Sequence, residues 1–202
     1  MNLYVETNFV LELALLQEQA GSCDEILRLC ESGRAKLVIP ASAVAEASAT
    51  LNLRGIRRQD MKQNLDRELH QLARTGTYSQ RLQGFREITA LLVESAITEA
   101  ARLSEISSRL LWVAEIVSLD ALILSAAEDF RTNYDLRPPD ALVLASVLGH
   151  LGDEPGAPSC FLSRDSDFED PKIIEDLSRR RCKLIGRFDH GLAALLGESS
   201  TT

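Results

Sequence analysis

The chain has 202 residues, of which 22 are lysine or arginine and 30 are aspartate or glutamate, so its formal net charge is -8. This length suits one α/β domain or a core domain that carries an insertion, and the hydrophobic share of 45% excludes a disordered chain. The acidic balance argues against a protein that coats nucleic acid through bulk positive charge, but it leaves room for an enzyme that gathers carboxylates at one point.

Neither a secretory signal nor a membrane-spanning segment is predicted. The N-terminal segment MNLYVETNFVLELALL has no lysine or arginine and contains Glu6, unlike a signal peptide. The longest apolar stretch, residues 141–148, is far shorter than the ~20 residues that a membrane span needs. The cysteines form no CxxC pair and the histidines no HExxH motif. We therefore expect a cytoplasmic protein with reduced thiols and no histidine-based zinc site.

The first quarter of the chain predicts strands that alternate with helices. In order, the predicted elements are a strand over 3–5, a helix capped by Thr7 or Asn8, a helix over 23–32, a strand over 36–39 and a helix from Ser42 to Leu51. Short apolar runs favour the strands, and apolar positions three or four apart favour the helices. This order is typical of a parallel sheet with crossover helices.

The pattern becomes helical after residue 54. Apolar positions between Gln59 and Ala73 have helical spacing, the segment TGTYS at 75–79 interrupts it, and a second helix is predicted from about Leu82 toward Val117. The apolar residues of the second helix step by threes and fours, as in a helix packed against another helix. We interpret residues 54–117 as a helical hairpin inserted into a single domain of residues 1–202.

The α/β pattern resumes after Asp120, which can cap a helix over 121–130. The remaining predicted elements are a helix from Asp140 to Leu148 preceded by two prolines, a strand over 160–163, a helix over 171–180, a strand over 183–185 and a terminal helical turn over 191–196. The predicted fold class is therefore α/β, a three-layer parallel sheet flanked by helices, with the inserted hairpin.

Acidic residues recur where predicted strands end or the next helices begin. Glu6 and Asp165 each follow a strand, Glu46 lies one turn into a helix, Asp140 opens a helix, and Asp167 comes two residues after Asp165. The carboxyl ends of parallel strands form one edge, so these side chains should meet there. Their mutual repulsion would raise their pKa values unless a hard divalent cation, Mg²⁺ or Mn²⁺, compensates. Such a cluster is typical of phosphodiester hydrolysis, although each acid taken singly could be only a cap, a turn former or a solvated residue.

The predicted hairpin carries an excess of positive charge. Residues 54–86 contain eight basic and three acidic residues, a net charge of +5, which leaves -13 for the rest of the chain. Candidate substrate contacts are Arg54, Arg57, Arg58 and Lys62. They could hold a phosphate backbone while the acids hold a metal. The alternative is a solvated helical face, or pairing with acids elsewhere.

Four segments resemble, in order, the motifs of the PIN-domain nuclease family, including its VapC-like toxin members. They are YVETNFVLE, PASAVAEA, RPPDALVLASV and FLSRDSDF, and the similarity covers roughly residues 1–51 and 118–190. The resemblance implies an endoribonuclease dependent on Mg²⁺ or Mn²⁺. It assigns catalysis to Glu6, Glu46, Asp140 and Asp165, metal binding to Glu6, Asp140 and Asp165, and the orientation of carboxylates or water to Asn8, Ser163 and Asp167.

The resemblance also implies an RNA substrate, a homodimer and, for a toxin, an antitoxin protein that blocks the acidic pocket. Two features depart from the family pattern: Glu6 stands where aspartate is usual, and the hairpin makes this chain longer than the compact toxin members. One alternative is a catalytically silent PIN-like binding module that uses the hairpin for protein or nucleic-acid contacts. Another is a different Mg²⁺-dependent enzyme such as a phosphatase, but the first strand is not followed by paired aspartates.

Overall fold

The computed structural model describes residues 1–74, 83–153 and 156–197. In these residues five short strands form one parallel sheet, in the order β3-β2-β1-β4-β5. The strands are β1 (Asn2–Val5), β2 (Lys36–Pro40), β3 (Glu115–Val117), β4 (Ser159–Leu162) and β5 (Cys182–Ile185).

Among the same residues, eight α-helices flank the sheet. They are α1 (Thr7–Leu15), α2 (Ala20–Glu31), α3 (Ala41–Ala73), α4 (Gln83–Val113), α5 (Ala121–Asn133), α6 (Pro138–Asp153), α7 (Pro171–Arg179) and α8 (Phe188–Leu196). Right-handed crossovers place α1 to α4 on one face and α5 to α7 on the other. The contacts agree, because α1 packs on α2, α3 and α4, and α5 packs on α6. This confirms the predicted α/β class with a parallel sheet between helices.

The core lies on both faces of the sheet. Leu3, Tyr4 and Val5 of β1 are fully buried, and Phe161 of β4 packs edge-on against Phe168 with 5.0 Å between ring centroids. A strand covered on both faces reads as a continuous apolar run rather than as an alternating one. The short apolar runs of the sequence are therefore the central strands.

The direction of the chain through the sheet reverses beside β1. From β1 the chain proceeds to β2 and β3 on one side, and it later returns to β4 and β5 on the other. In this register Val5 pairs with Leu162, which brings the residues that follow them, Glu6 and Ser163, side by side. Open α/β sheets bind ligands at the carboxyl edge of such a switch point.

The long helices α3 and α4 pack against each other in antiparallel directions. A Cβ atom at Gly55 would lie 3.8 Å from the Ala96 side chain, and Thr89 donates a hydrogen bond to Asp66 at 3.1 Å. Residue numbers that increase along α3 therefore face numbers that decrease along α4, so the two helices are antiparallel. The predicted break at 75–79 lies outside the described residues.

Two boundaries predicted for this region are wrong. The helix predicted to end at Leu51 and the one predicted from Gln59 form a single helix, α3, because the lone Gly55 between them lowers helix propensity without ending the helix. The helix expected to continue toward Val117 ends at Val113, and Glu115–Val117 forms the edge strand β3 instead. Ile116 and Val117 continue the apolar spacing of the helix, so periodicity alone could not separate them from it. Earlier in the same stripe, Leu103, Ile106 and Leu110 are buried in the core. Among the described residues, no helix has the length and apolar character that crossing a membrane requires.

Candidate active site

Glu6 ends the first strand and caps the first helix. Its Oε2 accepts the backbone N–H of Asn8 at 2.7 Å, and its Oε1 accepts the hydroxyl of Ser163 at 3.1 Å. The cap of α1 is therefore Glu6, and the prediction of Thr7 or Asn8 is wrong. The side chain is only 4% exposed, and burial raises the pKa of Glu6 to about 7, with smaller contributions from Asp165 and Glu46.

The turn after β4 links Glu6 to the aspartates. Besides donating to Glu6, the Ser163 hydroxyl accepts the backbone N–H of Asp165 at 3.0 Å. Asp165 Oδ1 in turn accepts the N–H of Asp167 at 3.0 Å and caps the 3-10 turn Ser166–Glu169. This chain of contacts holds both aspartates relative to the end of β1.

Glu46 approaches the same edge from the second strand. It lies in the second turn of α3, half-buried, and its Oε2 accepts the hydroxyl of Thr7 at 2.5 Å. Ser42, one turn earlier on α3, has a buried Oγ with no hydrogen-bond partner among the described residues. Sequence reasoning missed Thr7, although its position directly after Glu6 could have suggested a polar group facing the site.

Asp140 lies in the first turn of α6, and its carboxylate has an unsatisfied oxygen. Oδ2 is buried and accepts no hydrogen bond within the described part of the chain. Burial raises the pKa of Asp140 to about 6; Arg137 opposes the shift, whereas Asp165, Asp167 and Glu46 add to it. An acceptor that the fold leaves without a hydrogen-bond donor can take a cation, and in the structure the Arg137 guanidinium forms an ion pair with this oxygen.

The structure gathers three of the predicted acids into one cluster. Asp140, Asp165 and Asp167 each offer a carboxylate oxygen, and these oxygens lie within 4.8 Å of one another. The resemblance implied Glu6, Asp140 and Asp165 as the metal ligands and gave Asp167 an auxiliary role. In the structure Asp167 is one of the three clustered acids, and Glu6 is joined to Asp165 through the Ser163 hydroxyl. Clustered carboxylate oxygens, one of them unsatisfied, fit a hard cation such as Mg²⁺ or Mn²⁺.

Arg137 extends its guanidinium over this cluster, and sequence reasoning missed it. Its Nε lies 3.0 Å from Asp140 Oδ2 and 3.3 Å from Asp167 Oδ2, and its Nη2 donates to Asp165 Oδ2 at 3.1 Å. The contact with Asp140 has the distance of an ion pair but not the direction of a hydrogen bond. The three carboxylates raise the pKa of Arg137, Asp140 most. Its position one helical turn before Asp140, in RPPD, was the available signal.

Two of the four predicted substrate-binding cations are engaged inside the hairpin. Arg58 Nη1 donates to Glu99 at 2.8 Å and to Ser95 at 3.0 Å. Lys62 donates to Asp66, one turn along α3, at 2.5 Å. These contacts match the alternative in which basic residues pair with nearby acids, so neither cation is free to bind a phosphate without breaking them.

The other two predicted substrate-binding cations, Arg54 and Arg57, differ from Arg58 and Lys62. Within the described residues, Arg54 and Arg57 have no ion-pair partner. They follow Glu46 on the same helix by eight and eleven residues, which is about 12–17 Å along the helix axis at 1.5 Å per residue. A polymer bound at the cluster is long enough to reach them, whereas a small molecule is not.

Comparison with known proteins adds one match. The model of a family described as PIN domain matches residues 3–168 of the chain. This range contains all the acids of the cluster, Glu6 and Glu46, together with both long helices. No curated protein and no solved structure matches the chain.

Proposed function

Since the chain belongs to the PIN-domain family, whose members are generally nucleases, we propose that it is a metal-dependent endoribonuclease that hydrolyses RNA phosphodiester bonds. The observation that carries the proposal is the cluster of Asp140, Asp165 and Asp167, which bring carboxylate oxygens within 4.8 Å of one another. Asp140 Oδ2 also accepts no hydrogen bond from the described residues. We infer that these three residues hold Mg²⁺ or Mn²⁺.

The cation supplies two things to phosphodiester hydrolysis: it lowers the pKa of a water molecule and offsets the negative charge of the phosphate. The protein supplies the position of its ligands. Ser163 fixes the backbone of Asp165, and Glu6 fixes the hydroxyl of Ser163. We assign Glu6 this positioning role, because both of its oxygens already accept hydrogen bonds. In this role the side chain, one methylene longer than the usual aspartate, accepts the N–H of Asn8 and the hydroxyl of Ser163 at the same time.

Other parts of the proposal rest on the family resemblance. RNA rather than DNA as substrate, a homodimer, an antitoxin partner and a cytoplasmic location all come from it or from the sequence. The free guanidiniums of Arg54 and Arg57 support a polymeric substrate, because they can contact phosphates away from the cleaved bond.

Cleavage assays with a matched control test the proposal. A single-stranded RNA and a DNA of the same sequence are incubated with the protein and Mg²⁺, Mn²⁺ or EDTA. We expect RNA cleavage with either metal, none with EDTA, and at least 100-fold slower cleavage by Asp140→Asn. The control Asp129→Asn removes an exposed carboxylate on α5, outside the cluster, and should cleave at the wild-type rate. If neither RNA nor DNA is cleaved with either metal, the proposed nuclease activity is excluded.

A catalytically silent binding module is the second candidate, and one observation favours it. The guanidinium of Arg137 already compensates the charge of the cluster. Such a module should bind RNA or a protein without cleaving it, and Asp140→Asn should leave that binding unchanged. The same variants therefore separate the two functions.

A further inference from the structure

The backbone around Arg137 is fixed beside the acid cluster. Pro138 is the first residue of α6, and a residue that precedes proline is restricted to extended conformations. The carbonyl of Arg137 accepts the N–H of Ala141 at 2.9 Å, the first turn of the helix. The side chain of Arg137 therefore starts from a rigid point, one turn before Asp140.

The guanidinium stands where the proposed function requires a divalent cation. Its nitrogens lie within 3.3 Å of the Oδ2 atoms of all three aspartates. One positive charge thus offsets the mutual repulsion of three carboxylates. A divalent cation bound to the same oxygens would be repelled by the guanidinium at close range.

We propose that Arg137 is a competing cation: it covers the acid cluster in the metal-free protein and is displaced when a divalent cation binds. The inference rests on the proposed function, since it takes the cluster to be a metal site. Arg137 is then a positioning residue that keeps the three carboxylates together before the metal arrives.

Displacement is possible because little holds the guanidinium apart from charge. The Arg137 side chain is 67% exposed, so it can rotate into water without leaving a cavity. Ion pairs at that exposure contribute little to stability. A divalent cation brings twice the charge to the same oxygens, so it should win the competition at sufficient concentration.

Calorimetric titration of the metal-free protein with Mn²⁺ measures the competition. If Arg137 covers the cluster about nine-tenths of the time, the apparent affinity of the wild type is weakened about tenfold. We expect Arg137→Gln to bind Mn²⁺ about tenfold more tightly. The control Arg131→Gln removes an exposed arginine of α5 that pairs with Glu128, outside the cluster, and should bind like the wild type.

A second measurement separates displacement from a general loss of positive charge. The arginine side chains are labelled with ¹⁵N, and the Nε–H signal of Arg137 is identified by its absence in Arg137→Gln. Addition of diamagnetic Mg²⁺ should move this signal to the position typical of solvent-exposed arginines. If the glutamine variant does not fold, Arg137→Lys removes the same signal and serves for the assignment.

The possible outcomes separate the role of Arg137 from the proposed nuclease function on which it rests. Mn²⁺ affinities of Arg137→Gln and wild type within twofold, or an Nε–H signal unchanged at saturating Mg²⁺, would overturn the role of Arg137 and leave the nuclease intact. Absence of Mn²⁺ binding by both proteins would overturn the metal site itself, and with it both proposals.

Discussion

At the scale of single residues, burial of Glu6 outweighs the hydrogen bonds from Asn8 and Ser163, which favour its ionised form. The folded protein raises the pKa of Glu6 from 4.5 to about 7. It therefore holds the proton more tightly than the unfolded chain does. This contribution to stability is fully present below pH 4.5 and is lost as the pH rises through 7, in protein without metal.

Replacing Glu6 by glutamine should remove this pH dependence. In EDTA, we expect the free energy of unfolding of Glu6→Gln relative to wild type to increase from pH 4.5 to 7 and to level off above. The limiting gain is about 3 kcal/mol, from about 1.4 kcal/mol for each pKa unit. Urea unfolding at several pH values measures it. Two parallel stability curves would show that Glu6 ionises normally in the folded protein.

Ser163 joins Glu6 to Asp165, and its removal tests that connection. Ser163→Ala leaves the buried Glu6 Oε1 without its donor, which should cost about 1–3 kcal/mol of stability. We also expect the rate of RNA cleavage to fall about tenfold or more, because Asp165 loses its orienting contact. The control Ser108→Ala removes an exposed hydroxyl that donates to Ser104 on α4, and should change neither quantity. Equal effects of the two substitutions would contradict a special role for Ser163.

Sequence reasoning predicted the acids of this edge, because strand ends can be read from apolar runs and the topology of a parallel sheet places them together. It gave Asp167 only an auxiliary role and could not predict that its carboxylate would lie beside those of Asp140 and Asp165. That difference depends on the turn after β4, where the Ser163 hydroxyl and the Asp165 carboxylate bind backbone N–H groups. Arg137 was missed for a related reason: its target residues lie 3, 28 and 30 positions away, and only the folded arrangement brings all three within reach.

At the scale of secondary-structure elements, the site depends on how helices meet strands at the switch point. Most elements were predictable from the period of their apolar residues, whereas capping residues were less reliable. Asp120 accepts the N–H of Ile123 at 2.8 Å at the start of α5, as expected, but α1 is capped by Glu6. The edge strand β3 was not predictable, because its three residues continue the apolar spacing of the preceding helix and show no pattern typical of a strand. Its identity comes from pairing with β2, a long-range contact.

Two glycines in helices should respond in opposite ways to alanine. A Cβ at Gly191 of α8 would lie 2.8 and 2.9 Å from the two end methyls of the fully buried Leu162. Rotation of Leu162 cannot relieve both contacts, so Gly191→Ala should destabilise the protein by about 1–3 kcal/mol. A Cβ at Gly55 of α3 meets Ala96 at an ordinary 3.8 Å. Gly55→Ala should therefore stabilise by up to about 1 kcal/mol through helix propensity.

Thermal and urea unfolding of the two glycine variants measure these changes. Gly55→Ala is the matched control for Gly191→Ala, because both add one methyl group to a helix. A gain in stability from both would show that α8 moves freely against β4.

At the scale of the whole molecule, the charge is unevenly distributed. The chain as a whole is acidic, with a net charge of -8, although residues 54–86 carry +5. Two cations of this segment are already in ion pairs and are less available to bind phosphate: Arg58 pairs with Glu99, and Lys62 pairs with Asp66. In the proposed function, contact with a phosphate backbone therefore depends on local cations such as Arg54 and Arg57 and not on the overall charge of the chain.

The double substitution Arg54→Gln and Arg57→Gln tests these contacts on the basis of the proposed function. We expect KM for RNA to rise several-fold at unchanged kcat, because neither residue touches the cluster. The dependence of log affinity on log salt should become shallower by about 1.4 for two lost phosphate contacts on a single strand. Arg131→Gln serves as the control, and an unchanged KM in the double variant would show that RNA does not contact these two arginines.

The hydrogen bond between Glu6 and Ser163 joins residues 157 positions apart. Two of the three clustered aspartates, Asp165 and Asp167, belong to the last fifth of the chain. During translation, α1 to α6 and the first four strands therefore leave the ribosome before these two residues do. The acid cluster cannot form in a nascent chain until the residues through Asp167 have emerged.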